Sequence, residues 1–238
     1  MRIKILATLL MTVWVTTASA YGWEDGDPLI LSGGGDEGTV EYELTCDEQR
    51  ARDPSMTDED YTDFLLKFQD TDCAKIFKPG DIGFGGGKVF HVTDEGRHGM
   101  EIAPYHHTSV EYGCWYVGLE GARDQSFGAG KSNTEVALGK NCVSHYGGTT
   151  IFDVLRNFDA GDFRDWYIPS YYELKEIYRV LGPYTVTEKG SAHPSYPQFF
   201  WSSSESYAIW MWGLNLTTGK NALAGHSVKL SVLLIRNF

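Results

Sequence analysis

Two stretches of unlike chemistry meet at Lys78-Pro79-Gly80, and that boundary limits where a core can form. From Tyr21 to Asp72 the chain carries 16 acidic and 3 basic residues, a net charge of −13. From Cys73 to Phe238 it carries 16 acidic and 15 basic, a net charge of −1. The first stretch, broken by "SGGGDEG" (Ser32–Gly38), reads as a flexible acidic leader with little core of its own. The second is dense in aromatics and glycine and is long enough for one good core. Residues 79–238 are therefore expected to form the folded domain, and residues 21–78 its leader. Neither half has the basic stripe of a nucleic-acid binder.

Residues 1–20 read as a signal peptide. Arg2 and Lys4 start it, Ile5 to Val15 is apolar but short for a bilayer span, and Ala18-Ser19-Ala20 supplies a small-residue cleavage pattern. No later stretch is long and apolar enough to span a membrane. The expectation is an exported protein, in periplasm, at the cell surface or outside the cell. Export makes the four cysteines read as two disulfides. Three pairings are open. Cys46–Cys73 with Cys114–Cys142 is favoured because shorter loops close more easily.

Local patterns place several elements. Met56–Asp70 reads as a helix capped by Thr57, with Phe64, Leu65 and Phe68 on one face. "TVEYEL" (Thr39–Leu44), "GKVFHVT" (Gly87–Thr93) and "HGMEIAP" (His98–Pro104) read as strands. Cys114 to Cys142 reads as loop. Thr150–Phe158 has helical spacing. Ser170-Tyr171-Tyr172-Glu173 is a capping box, ahead of a helix with Leu174, Ile177, Tyr178 and Leu181 on one face and Gly182-Pro183 as its stop. Gln198–Ser206, Tyr207–Leu216 and His226–Phe238 read as three strands, with Thr217–Lys220 as the turn between the last two.

The search for chemistry starts at "GDIGFGGGKVF" (Gly80–Phe90), which looks like a phosphate cradle. Aligned on Gly87-Lys88, a P-loop would need glycine at Ile82 and a hydroxyl at Val89. A dinucleotide loop starting at Gly83 would need glycine at Lys88 and a helix, not a strand, afterwards. Nucleotide binding is not expected, and the glycines are read as allowing a tight turn and close backbone packing. The seven histidines form no His-Glu-x-x-His, and His106 and His107 are adjacent, so their side chains diverge. The acidic leader lacks an EF-hand pattern, with calcium binding there left open. "WSSSES" (Trp201–Ser206) lacks the Gly-x-Ser-x-Gly elbow. No cofactor, metal site or catalytic set is called.

Recognition is the better-supported class. Tyr207, Asn215, Lys220, Asn221 and His226 combine rings, amides and charge near turns, a set suited to a glycan or a cell-surface protein. Trp210 and Trp212 share strand parity with Ala208 and Leu214 and are expected to face inward together.

Several ordered motifs carry a resemblance. They are Gly80-Asp81-Ile82-Gly83-x-Gly85-Gly86-Gly87-x-Val89-Phe90, His98-Gly99-x-Glu101-x-Ala103-Pro104, Asn133-Thr134, Asp165-Trp166-Tyr167-Ile168-Pro169-Ser170-x-x-Glu173-Leu174, Trp201-Ser202-Ser203-Ser204-Glu205 and Ile235-Arg236-Asn237-Phe238. Over about Pro79–Phe238 the chain resembles the Lcl C-terminal domain family, named for the end domain of a bacterial collagen-like adhesin that binds sulfated polysaccharides. The resemblance implies a C-type lectin-like or formylglycine-generating-enzyme-like fold with a ligand surface near the C-terminal strands. Departures are clear: no collagen stalk, no Glu-Pro-Asn or Trp-Asn-Asp calcium triplet, and no cysteine after Cys142. The motif residues themselves read as structural.

Together these readings predict an α+β domain with two helices and a mainly antiparallel sheet. They point to an exported, non-catalytic recognition or adhesion domain. An enzyme with an unrecognised oxidase-like or hydrolytic site, a structural component of the envelope, and a homo-oligomer stay open.

Overall fold

The computed structural model describes residues 46, 51–69, 71, 73–160, 163–183 and 198–238. The signal-peptide reading, the strand expected at Thr39–Leu44 and most of the acidic leader lie outside these residues. Among the described residues the fold is α+β. The helices are α1 (Asp58–Phe68), α2 (Gly130–Leu138), α3 (Ile151–Arg156) and α4 (Tyr171–Leu181). The strands are β1 (Val89–Thr93), β2 (His98–Ile102), β3 (His107–Glu111), β4 (Phe199–Tyr207), β5 (Trp210–Asn215), β6 (Asn221–Gly225), β7 (Lys229–Val232) and β8 (Ile235–Asn237). They form a three-stranded sheet, β1-β2-β8, and a five-stranded sheet, β3-β7-β4-β5-β6. All pairings are antiparallel except β4 with β7. Helix α4 packs on β1 of the small sheet and on β4 and β5 of the large one.

The helices with local start signals form where the sequence places them. Thr57 accepts from the Asp60 amide at the start of α1. Thr150 and Asp153 make a reciprocal capping box on α3, as do Ser170 and Glu173 on α4. Each box satisfies amides that a first helical turn otherwise leaves unpaired. Leu174 and Ile177 are buried, Tyr178 and Leu181 pack against the core, and Gly182 closes the helix at φ 75°.

Helix α2 departs from the loop reading. Its inward face is polar: Asn133 and Thr134 are buried beside Ala137. Asn133 Nδ2 donates to Asp124 O at 2.6 Å, and Thr134 Oγ1 accepts from the Ile168 amide at 3.0 Å. An apolar periodicity search passes over a helix held by polar partners far along the chain.

The C-terminal region also differs. The single strand expected over His226–Phe238 is two, split at Leu233-Leu234, so that β7 joins the large sheet and β8 the small one. Thr217–Lys220 leads into β6 rather than directly into the last strand, because Asn221–Gly225 pairs along β5. The inward reading of the tryptophans is corrected in part. Trp210 is exposed, and Trp212 is half-buried against Tyr171 of α4, with ring centroids 5.1 Å apart. Met211, of opposite parity, is fully buried. Both faces of β5 are covered near Leu214, and only the Trp210 end runs out to solvent.

The glycine loop has a specific task. Glu101 on β2 is fully buried, and Gly85 N–H donates to both of its carboxylate oxygens at 2.9 and 3.0 Å. A side chain at Gly85 would sit 2.6 Å from the Trp166 ring, and one at Gly87 would strike the Ile102 carbonyl. These glycines are there for close approach. Arg236 of β8 donates to Glu101 Oε1 at 2.8 Å and to Asp165 Oδ1 at 2.9 Å, with its guanidinium 3.5 Å from the Phe163 ring centroid. Packing also reaches back before Pro79: Phe77 is buried against Phe84 and Phe238, at 5.0 and 4.8 Å between centroids.

Candidate functional site

The two disulfides are Cys46–Cys73 and Cys114–Cys142. The second organises the most exposed aromatic group among the described residues. Trp115 and Tyr116 are the central residues of a turn closed by Val117 N–H to Cys114 O at 2.9 Å. Cys142 starts a second loop, in which Ser144 Oγ accepts from the Tyr146 and Gly148 amides at 3.1 and 2.7 Å. The buried carboxylate of Glu111, at the end of β3, accepts from His145 N–H at 2.9 Å and pins this loop to the sheet.

The two loops meet through their rings. Trp115 lies over His145, with centroids 4.3 Å apart and planes at 33°. Tyr116 stands across Trp115 at 4.6 Å and Tyr146 across His145 at 4.4 Å, both near perpendicular. The result is a four-ring shelf. Tyr116 is 76% exposed, Tyr146 71% and Val143 beside them 73%.

Three of the seven described non-glycine residues with positive φ are in these two loops. Cys114 (φ 60°), Tyr116 (φ 59°) and Asn141 (φ 50°) all lie in the left-handed region. A turn with positive φ at its third position favours glycine or asparagine. Here that position holds a tyrosine that is three-quarters exposed. Strain of this kind persists only where the surroundings enforce it, and it concentrates at functional surfaces. The disulfide and the sheet beneath are those surroundings.

His226 is the post under this end of the domain. It is fully buried. Its Nδ1 lies 2.8 Å from Cys114 O, and a carbonyl only accepts, so Nδ1 carries the proton. Its backbone N–H donates to Ile209 O at 3.2 Å, and its carbonyl accepts from Gly113 N–H at 3.2 Å. Burial holds its pKa below the ordinary 6.5, against the raising influence of the Cys114 hydrogen bond and the Glu205 charge. Its ring stacks on buried Tyr112 at 5.4 Å. Burial, and then the Glu205 charge, push the Tyr112 phenol far up, so it stays neutral. Glu205 holds the turn from its other side, accepting from Leu119 N–H at 2.7 Å and from Arg123 Nε at 2.8 Å. Through His226 the shelf is tied to the β4–β5 hairpin tip, where exposed Tyr207 and Trp210 are opposite each other.

The five residues singled out from sequence do not form one site. Tyr207 is exposed at the hairpin tip, on the shelf side. His226 is there too, but in the interior, where it presents nothing to a ligand. Asn215, Lys220 and Asn221 are at the other end of β5, across a strand of six residues. Asn215 is buried, and its Oδ1 accepts from the Thr217 and Thr218 amides at 2.9 Å each, a turn-bracing role. Trp115, Tyr116, His145 and Tyr146 were missed. Their only sequence signal is two aromatic pairs, each shortly after a cysteine.

A second concave surface lies between β1, the 126–127 loop and α4. It encloses about 560 Å³ and is lined chiefly by His91, Phe127, Tyr172, Lys175, Glu176 and Arg179. Arg179 and Glu176 occupy each other in a bidentate pair, at 2.7 and 2.6 Å. Lys175 lies over the Tyr171 ring at 5.3 Å. This is the ordinary solvent face of a helix, with no strained backbone in α4.

His106 and His107 diverge as expected: the first ring faces Phe200, the second Tyr105 and Phe158. Among the described residues no group of three or more His, Cys, Asp or Glu is placed to hold a metal ion. None of the described helices is long and apolar enough to cross a membrane. Compared with family models and with curated proteins, the chain finds no match.

Proposed function

We propose that this is an exported recognition domain that takes an extracellular ligand, a glycan or a protein, on the Trp115–Tyr116–His145–Tyr146 shelf. One observation carries the proposal: Tyr116 is held at φ 59° with its ring in solvent. A fold that needed only a turn there would be served better by glycine. Rigid exposed tyrosine and tryptophan rings are favoured at binding surfaces because they offer large contact area with few torsions to immobilise.

Export is supported by the charged-apolar-small pattern at residues 1–20 and by the two disulfides. The ordered motifs from Gly80 to Phe238 support membership of the Lcl C-terminal domain family and, with it, a lectin-like fold. The proposal departs from the sequence reading in one respect: the ligand surface is built by the disulfide loops and the Tyr207–Trp210 tip, not by Lys220 to His226.

The test compares fluorescently labelled wild-type protein with Tyr116→Gly and Tyr146→Ala on intact bacterial and host cells. Surface labelling that falls at least tenfold in both variants, with unchanged melting temperature, supports the proposal. Labelling that survives both substitutions overturns it.

A further inference from the structure

The charge around the shelf narrows its ligand. Trp115–Val117, Val143–Tyr146 and Tyr207–Trp210 together span eleven residues with no Lys, Arg, Asp or Glu, in a chain where these make up 22%. At that frequency two or three charges would be expected. Two cations adjoin the shelf, and each has a carboxylate close by: Arg123 Nε is 2.8 Å from Glu205 Oε2, and Lys229 Nζ flanks Gly148 together with Glu111 Oε1, its cross-strand neighbour. The stretch that carries the shelf, Cys73–Phe238, has a net charge of −1. A sulfated or carboxylated polymer would meet no cation among these eleven residues and no basic field from the domain around them.

The ring geometry favours sugar over protein. Trp115 is half-buried under His145, which is itself exposed, and Tyr116 and Tyr146 stand near perpendicular at the two ends of that pair with most of their surface in solvent. Each offers a ring for the apolar C–H face of a pyranose and a hydroxyl for its polar rim. A protein partner would need roughly 800 Å² of matched surface on each side. The shelf is instead four touching rings with Val117 and Val143 beside them, bordered by Asn141, Ser144 and Gly147. Tyr207 and Trp210 add a second exposed ring pair on the same end of the domain, tied to the first through His226. Two ring stations suit an extended chain better than a single sugar.

We infer that the ligand of the shelf is an uncharged polysaccharide, with successive pyranose units stacked on Tyr116 and Tyr146 and the chain continuing toward Tyr207 and Trp210. This rests on the shelf being the ligand surface.

The experiment is affinity gel electrophoresis of the full chain. The neutral probes are dextran, a β-glucan and a galactomannan, and the anionic ones dextran sulfate and polygalacturonate. The expected result is retardation by at least one neutral polymer, surviving molar salt. Tyr116→Gly and Tyr146→Ala should each weaken it at least tenfold, and Tyr207→Ala by a smaller factor, at unchanged melting temperature. Lys220→Ala, at the opposite end of β5, should leave it unaltered. No retardation by any neutral polymer overturns the inference. So does retardation by the anionic polymers alone. If that anionic binding is lost in Tyr116→Gly, the ligand class is wrong but the surface is right. If retardation by a neutral polymer is indifferent to Tyr116 and Tyr146, the surface itself is wrong.

Discussion

Glu101 and Tyr116 are both costly residues, and the domain treats them in opposite ways. Glu101 is a carboxylate buried to zero exposure; its neighbours offset part of that cost, and burial still holds its pKa above the ordinary carboxylate value. Two hydrogen bonds from Gly85, an ion pair with Arg236 and a second acidic partner for that arginine enclose it. Tyr116 is a left-handed residue on the surface, and nothing near it needs a tyrosine for stability. The difference separates residues kept for the fold from residues kept for something else. The ordered sequence motifs belong mostly to the first kind. Gly85, Glu101, Trp166 and Arg236 converge on one buried cluster, with exposed Asp165 at its edge. Asn133, Thr134, Ser170, Glu173, Ser203 and Ser204 converge on another. There Ser204 Oγ donates to Asp124 O at 2.8 Å, and Ser203 N–H donates to Pro169 O at 2.7 Å.

The sharpest way to break the comparison is to remove one member of the buried pair. Arg236→Met should cost about 3–5 kcal/mol, because buried Glu101 loses the cation that offsets its desolvation. Denaturant titration reads this directly, and a loss under about 1 kcal/mol would mean the cluster is not what holds β2 and β8 together. Second in size is the tether of the shelf. Cys114→Ala with Cys142→Ala should cost roughly 2–4 kcal/mol. It should also abolish ligand binding before the domain unfolds, measured by binding well below the melting point. Third is the α4 cap, where Ser170→Ala should cost about 1–2 kcal/mol by thermal melting.

A pH effect follows from His226. Its folded pKa is below 6.5, so near and below that pH the unfolded chain takes up a proton that the folded one refuses. Its contribution to stability is therefore complete above pH 6.5 and is lost as pH falls through the window down to the folded value. Melting temperatures across that window should fall in the wild type and flatten in His226→Gln. Identical slopes in both would show that the folded imidazole takes up its proton at the same pH as the unfolded one. Smallest is Tyr116→Gly, where stability should stay within about 0.5 kcal/mol of wild type or rise slightly. A clear destabilisation would mean that Tyr116 is structural after all, and the contrast with Glu101 would fail.

Much of the fold was legible in the sequence, for a local reason. The caps at Thr57 and Ser170, the helical spacing of Thr150–Phe158 and the stop at Gly182 all act over a few neighbouring residues. Strands β1 and β2 were legible because their composition and the short link between them act locally too. Helix α2 was not, since Asn133 and Thr134 are anchored by Asp124, Ile168 and Ser203. Strand β6 was not, since Asn221–Gly225 carries little strand propensity and is held by pairing along β5. The candidate surface was the least legible. Tyr207 could be picked out as an exposed ring beside a turn. Trp115 and His145 are thirty residues apart in sequence, and neither loop alone makes a surface.

The sequence by itself determined the α+β class and the capped ends of α1 and α4, and it favoured one of three disulfide pairings, because pattern, capping and loop closure are short-range effects. Tertiary structure decided that the glycine loop closes on a buried carboxylate. It also decided that His226 supports rather than binds, and that four rings from two loops form one shelf. Those outcomes depend on which distant groups share the same few ångströms, and burial, ion pairing and ring stacking act only at that range.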